Sequence, residues 1–103
     1  MKAAWAYDFE CDRPMAQMLA ILNEAGPWTW MERNEDAPGP HICSVSFGGL
    51  RVRIYGRREG PRYTADLRMD DGCKADRASI DRVFRGSLRK LAARNITAGE
   101  YCY

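Results

Sequence analysis

Histidine is nearly absent from this chain, His41 being the only one in 103 residues. A metal centre built on several imidazoles is thereby excluded, and any serine–histidine or cysteine–histidine arrangement has to use that one residue. Cysteine occurs four times, at Cys11, Cys43, Cys73 and Cys102, but never as a C-x-x-C pair, so the clustered thiolate spacing of zinc sites is missing as well. No apolar run approaches the roughly 20 residues with which a helix crosses a bilayer. The opening "MKAAWAYDFECDRP" meets Asp8 and Glu10 before any stretch long enough for a secretory signal. The expectation is a cytoplasmic protein with reduced thiols, without metal, cofactor or membrane partner.

Phosphate-binding glycine patterns are lacking too. The glycines of "FGGLRVRIYG" are too few and wrongly spaced for a P-loop or a dinucleotide fingerprint, and they lead into a strand where those motifs lead into a helix. Acidic residues are not scarce, yet their spacing matches no calcium loop. Asp8, Glu10 and Asp12, and again Glu32, Glu35 and Asp36, read as solvated carboxylates before they read as cation ligands.

What is present suits a folded domain. Hydrophobic residues make up 46% of the chain and charged residues 29%, a balance far from that of disordered chains, and one domain over residues 1–103 is expected. Trp5, Tyr7, Phe9 and Cys11 alternate with polar or small residues, the period of a strand with one buried face. Asp12 is placed to cap a following helix that has Pro14 in its first turn. Met15, Met18, Leu19 and Leu22 then form the apolar stripe, and Gly26-Pro27 ends it. Trp28 to Arg33 reads as a short strand, and Asn34 to Pro40 as an acidic loop, the segment most apt to move.

The stretch "PHICSVSFGGLRVRIYG" reads as a hairpin about Gly48-Gly49. Folding there puts Phe47 opposite Leu50, Val45 opposite Val52 and Cys43 opposite Ile54, all on one face; a single long strand would instead need a bulge at the glycines. After the turn "RREGPR", Tyr63, Ala65, Leu67 and Met69 alternate in a further strand. Pairing Ile54 with Tyr63 would bring Arg51 opposite Asp66. Asp76 caps a second helix with the stripe Ile80, Val83, Phe84, Leu88 and Leu91, Asn95 is placed to end it, and "ITAGEYCY" closes as a strand. This order, β-α-β-β-β(-β)-α-β, is that of an α+β two-layer sandwich of the ferredoxin-like kind, with a mostly antiparallel sheet and both helices on one face.

Charge is unevenly spread. Residues 1–43 hold three cationic side chains against seven carboxylates, whereas residues 44–103 hold thirteen of the sixteen lysines and arginines. Arg51 and Arg53, with Tyr55, are expected to face outward from the hairpin. Arg82, Arg85 and Arg89 stand three and four apart on the second helix, a stripe able to track phosphates. A nucleic-acid surface is a possible reading, but the aromatic side chains that would stack bases are expected under the helices, outward carboxylates would repel a backbone, and a net charge of +2 is small for such a role.

Two further candidates complete the reading. Trp28 and Trp30 could line a pocket, against the plainer alternative that they finish the core at the sheet edge. Cys43 and His41 share a strand face about 7 Å apart, the one pair from which thiol chemistry could be built, although no third orienting residue accompanies them. The expected function is a small binding or regulatory protein acting through a protein partner or a homodimer, using an exposed sheet edge or face. Nucleic-acid binding and a thiol-dependent enzyme are the alternatives.

Overall fold

A computed structural model describes residues 3–35, 39–44, 49–57, 60–70 and 72–102. Eight elements follow in the order β1 (Ala3–Glu10), α1 (Met15–Ala25), β2 (Trp30–Glu35), β3 (Gly39–Ser44), β4 (Leu50–Gly56), β5 (Arg62–Met69), α2 (Arg77–Lys90) and β6 (Arg94–Cys102). The six strands form one sheet in the order β2-β3-β4-β5-β1-β6, and every neighbouring pair is antiparallel. Strands β2 to β5 run as a meander. Each helix connects strands that are not neighbours: α1 leads from β1 to the far edge strand β2, and α2 from β5 across β1 to β6. Both helices cover the same face, so the molecule is a two-layer α+β sandwich.

The alternation in the first strand decides which side the helices cover. Trp5, Tyr7 and Phe9 are almost wholly buried with Leu67, Val52, Ile54 and Ile42 from the strands, Met18 and Leu22 from α1, and Ile80, Phe84 and Leu88 from α2. Phe84 is the hub of the aromatic layer, its ring 4.9 Å from that of Tyr7, 6.2 Å from Trp28 and 6.4 Å from Trp30. Ring pairs at these separations add to the stabilisation from area burial.

Polar bonds lock each helix to the sheet. Trp5 Nε1 donates to the Tyr7 hydroxyl at 3.0 Å, which donates to the Asp81 carboxylate of α2; Arg85 donates to the same carboxylate at 3.0 Å and lies over the Tyr7 ring. Burial, reinforced by the hydrogen bond to Asp81, pushes the Tyr7 hydroxyl up to about 12. Asn23 of α1 reaches the edge strand, accepting from the Trp30 amide at 2.7 Å and donating to its carbonyl at 3.1 Å.

Several local expectations are corrected. Asp12 does not cap α1: the N-cap is Pro14, with no side-chain bond, and Asp12 is held by Arg94 at the start of β6. Asp76 does cap α2, accepting from the Ser79 amide at 2.8 Å. Asn95 does not end that helix, which stops at Lys90, with Ala92 taking the left-handed turn (φ 58°). Asn95, also at positive φ, sits instead at the irregularity where β6 shifts register against β1. Strand β2 begins two residues later than the sequence suggests and runs to Glu35, so residues read as loop are paired with β3.

Two registers also differ. Ile42, not Cys43, lies opposite Ile54, and Cys43 lies opposite Arg53. Because side chains alternate, a slip of one residue moves Cys43 from the helix-covered face to the other. Between β4 and β5, Ile54 pairs with Ala65, which brings Arg53 opposite Asp66 and Arg51 opposite Arg68. Beyond the last pair of this ladder, the Arg57 amide donates to the Arg62 carbonyl at 2.9 Å. Val45, Phe47 and Gly48 lie outside the described residues.

Candidate functional site

The helix-free face of the sheet carries three rows of cross-strand neighbours. Arg33, His41, Tyr55, Thr64 and Asp8 form one; Met31, Cys43, Arg53, Asp66 and Ala6 the next; Arg51, Arg68 and Ala4 the third. The long side chains at the β2, β3 and β4 end wall off a hollow of about 390 Å³, whose lining includes Arg33, His41, Cys43, Arg51, Arg53, Asp66 and Arg68. Volumes of this size suit a small molecule.

The electrostatics of the hollow are lopsided. Among the described residues, four guanidinium groups surround one carboxylate. Arg53 Nη2 and Arg68 Nε both approach the same oxygen, Asp66 Oδ2, at 3.3 Å each, while Asp66 Oδ1 is buried with no hydrogen-bond partner among the described residues. The Asp66 side chain is only 7% exposed, against 34% for Arg53 and 38% for Arg68. Arg51 is exposed and forms no hydrogen bond or ion pair with any described residue. It stands directly opposite Arg68, and like charges across a strand pair are destabilising.

His41 and Cys43 are buried in this face, His41 to 1% exposure. His41 belongs to an interior strand, flanked by Arg33 and Tyr55, not to a sheet edge. Cys11, Cys43 and Cys73 carry free thiols. No group of three or more histidine, cysteine, aspartate or glutamate side chains among the described residues is arranged to hold a metal.

The structure brings together Cys43, His41, Arg51 and Arg53 around the hollow, with Tyr55 beside His41 in the neighbouring row. It separates them from Arg82, Arg85 and Arg89, which are exposed on α2, on the other side of the sheet; Arg85 is paired with Asp81. Trp28 and Trp30 lie in the core against Phe84. The residues that sequence reasoning missed are Arg33, Arg68 and Asp66. A β4–β5 register moved by two residues is the signal that would have found the last two.

The carboxylates of the first strand and of its exit are each engaged. Asp8 accepts from the Thr64 hydroxyl at 2.6 Å and lies 3.8 Å from Arg57, Glu10 accepts from Asn95, and Asp12 pairs with Arg94. A second hollow of about 290 Å³ lies here, between β5, β1 and β6, and its two acids are balanced by Arg57 and Arg62.

No helix among the described residues is long and apolar enough to cross a membrane. Comparison with protein-family models found no match, and comparison with curated proteins found none either. Among solved structures, the chain is similar to the crystal structure of the adenosylmethionine decarboxylase from Aquifex aeolicus, with a TM-score of 0.59 at 12% sequence identity over 98% of this chain and 88% of that one. At that identity the likeness shows the α+β sandwich fold.

Proposed function

We propose that this is a small binding or regulatory protein whose helix-free sheet face, through Arg51, Arg53 and Tyr55, docks an acidic surface of a partner protein. The observation that carries this reading is the charge imbalance around the hollow, four arginines against the one carboxylate of Asp66. Charge complementarity of this kind selects acidic partners and speeds encounter. Self-association through the same face is disfavoured, since a two-fold contact would set each copy's arginines against the other's. Nucleic acid is the weaker alternative: the aromatic rings of Trp5, Tyr7, Phe9 and Tyr63 pack on the helix-covered side, which leaves Tyr55 with few partners for base stacking.

The test is fluorescence anisotropy with a labelled oligoglutamate peptide and a single-stranded oligonucleotide. Peptide binding that is lost in Arg51→Glu and Arg53→Glu but kept in Arg82→Glu and Arg89→Glu is the expected result. Loss in the α2 variants alone, or tighter binding of the oligonucleotide, would refute it.

A thiol-dependent enzyme is the second reading, favoured by one observation: His41 and Cys43 line the same hollow. The decarboxylase activity in the name of the structural neighbour belongs to that protein, and the shared fold does not transfer it. Alkylation of Cys43 faster than that of the more exposed Cys73 would favour this reading over docking.

A further inference from the structure

We propose that the hollow on the helix-free face binds a phosphate monoester that also carries a hydroxyl group. The proposal rests on the reading of this face as the binding surface, and it names a small occupant distinct from a protein partner. Three features lead to it.

First, the cationic groups lining the hollow outnumber its acids: among the described residues Arg33, Arg51, Arg53 and Arg68 meet the single carboxylate of Asp66. Arg53 and Arg68 share one carboxylate oxygen, and Arg51, directly opposite Arg68, has no described partner. A carboxylate ligand would cancel one charge, whereas a phosphate monoester brings close to two, with three terminal oxygens for the forked guanidinium donors. Second, the space is bounded. About 390 Å³ beside walls of arginine admits a small phosphorylated molecule, and at the floor His41, Cys43 and Asp66 are buried and close the hollow. Third, Asp66 Oδ1 is buried without a hydrogen-bond partner among the described residues, although Oδ2 accepts from Arg53 and lies 3.3 Å from Arg68 Nε. An orphaned carboxylate oxygen costs free energy until a donor reaches it. A phosphate dianion has no proton to offer, so the donor has to come from elsewhere on the ligand, and a hydroxyl supplies it.

The experiment is isothermal titration calorimetry of the full chain with glycerol 3-phosphate, methyl phosphate, malonate and glycerol. Glycerol 3-phosphate is expected to bind one to one and more tightly than methyl phosphate, with glycerol silent. Arg51→Gln, a change at an exposed position, should weaken both phosphates by about tenfold or more. Asp66→Asn should remove the advantage of glycerol 3-phosphate over methyl phosphate. Should that variant fail to fold, the comparison of the two esters on the unaltered chain decides the point by itself. No heat with either ester, equal affinities for the two, tighter binding of malonate, or binding unaffected by Arg51→Gln would each overturn the proposal. Failure here with retained oligoglutamate binding leaves the docking face standing and removes the small ligand; failure of both removes the face.

Discussion

Arg53 Nη2 lies 3.3 Å from Asp66 Oδ2 across strands β4 and β5, with Asp66 the more deeply buried of the two. The ion pair therefore has one end in the sheet and the other toward solvent. Replacing Asp66 by alanine removes the carboxylate that Arg53 and Arg68 share. Removing one partner of a largely buried pair is costly, and the partial exposure of both arginines reduces that cost by solvent screening. Asp66→Ala is expected to lower stability by about 1–3 kcal/mol in urea denaturation. Arg51→Ala should leave stability unchanged or slightly raised, since it relieves the like-charge contact with Arg68.

Alkaline stability should depend on Tyr7. Its hydroxyl is pushed up to about 12 in the folded chain by burial and by its hydrogen bond to Asp81, from an ordinary value of 10.0. Between those two values the unfolded chain has released the proton and the folded chain still holds it. The stabilisation is complete below pH 10 and is lost as the pH rises toward about 12, with a slope of at most about 1.4 kcal/mol per pH unit. The measurement is urea denaturation across this range for the unaltered chain and Tyr7→Phe. An equal decline in both would show that Tyr7 contributes nothing to it.

Acid stability should depend on Asp12 and Asp76. Arg94 holds the Asp12 carboxyl below its ordinary value of 3.8, and bonds from Ser79 do the same for Asp76. Each contributes stability that is present above 3.8 and is lost as the pH falls through the lower folded-state value. Asp76→Ala should reduce stability near neutrality and flatten its decline in acid, as read by circular dichroism. An unchanged acid limb would contradict this.

Two glycines should respond in opposite ways. A Cβ on Gly49 would lie 2.3 Å from the backbone nitrogen of Cys73, at φ +89°, and the Gly49 carbonyl accepts from the Asp70 amide at 2.8 Å. Gly49→Ala must displace backbone on both sides of that contact, and a loss of about 2 kcal/mol or more is expected in thermal melting. Gly86, in the middle of α2, has nothing within 4 Å of where its Cβ would stand. Gly86→Ala should stabilise by about 0.5–1 kcal/mol through helix propensity.

The elements were legible in the chain because they rest on local periodicity. Alternating rings in β1, the threefold and fourfold spacing in α1 and α2, and the cap at Asp76 are all decided within a few residues. Legibility ended where two segments had to be aligned. The described pairing of β3 with β4 is offset by one residue from the register read about Gly48-Gly49, so Cys43 joined the arginines and left its expected place in the core. A shift of two residues between β4 and β5 kept every side chain on its expected face and still exchanged the neighbour of Arg51 from Asp66 to Arg68. Asp12 failed as a cap for a similar reason, since Arg94, distant in sequence, arrives beside it.

The amino-acid order alone thus determined the α+β class, the ring-bearing face that goes under the helices, and an excess of arginine after residue 43, because short-range burial patterns and charge counts are properties of the chain itself. Tertiary pairing decided the rest. It divided the basic residues between two sides of the sheet, set Arg53 and Arg68 on one oxygen of Asp66, and placed His41 and Cys43 at the floor of the same hollow. Those outcomes depend on registers between strands, which turn geometry and core packing select and which no window of neighbouring residues contains.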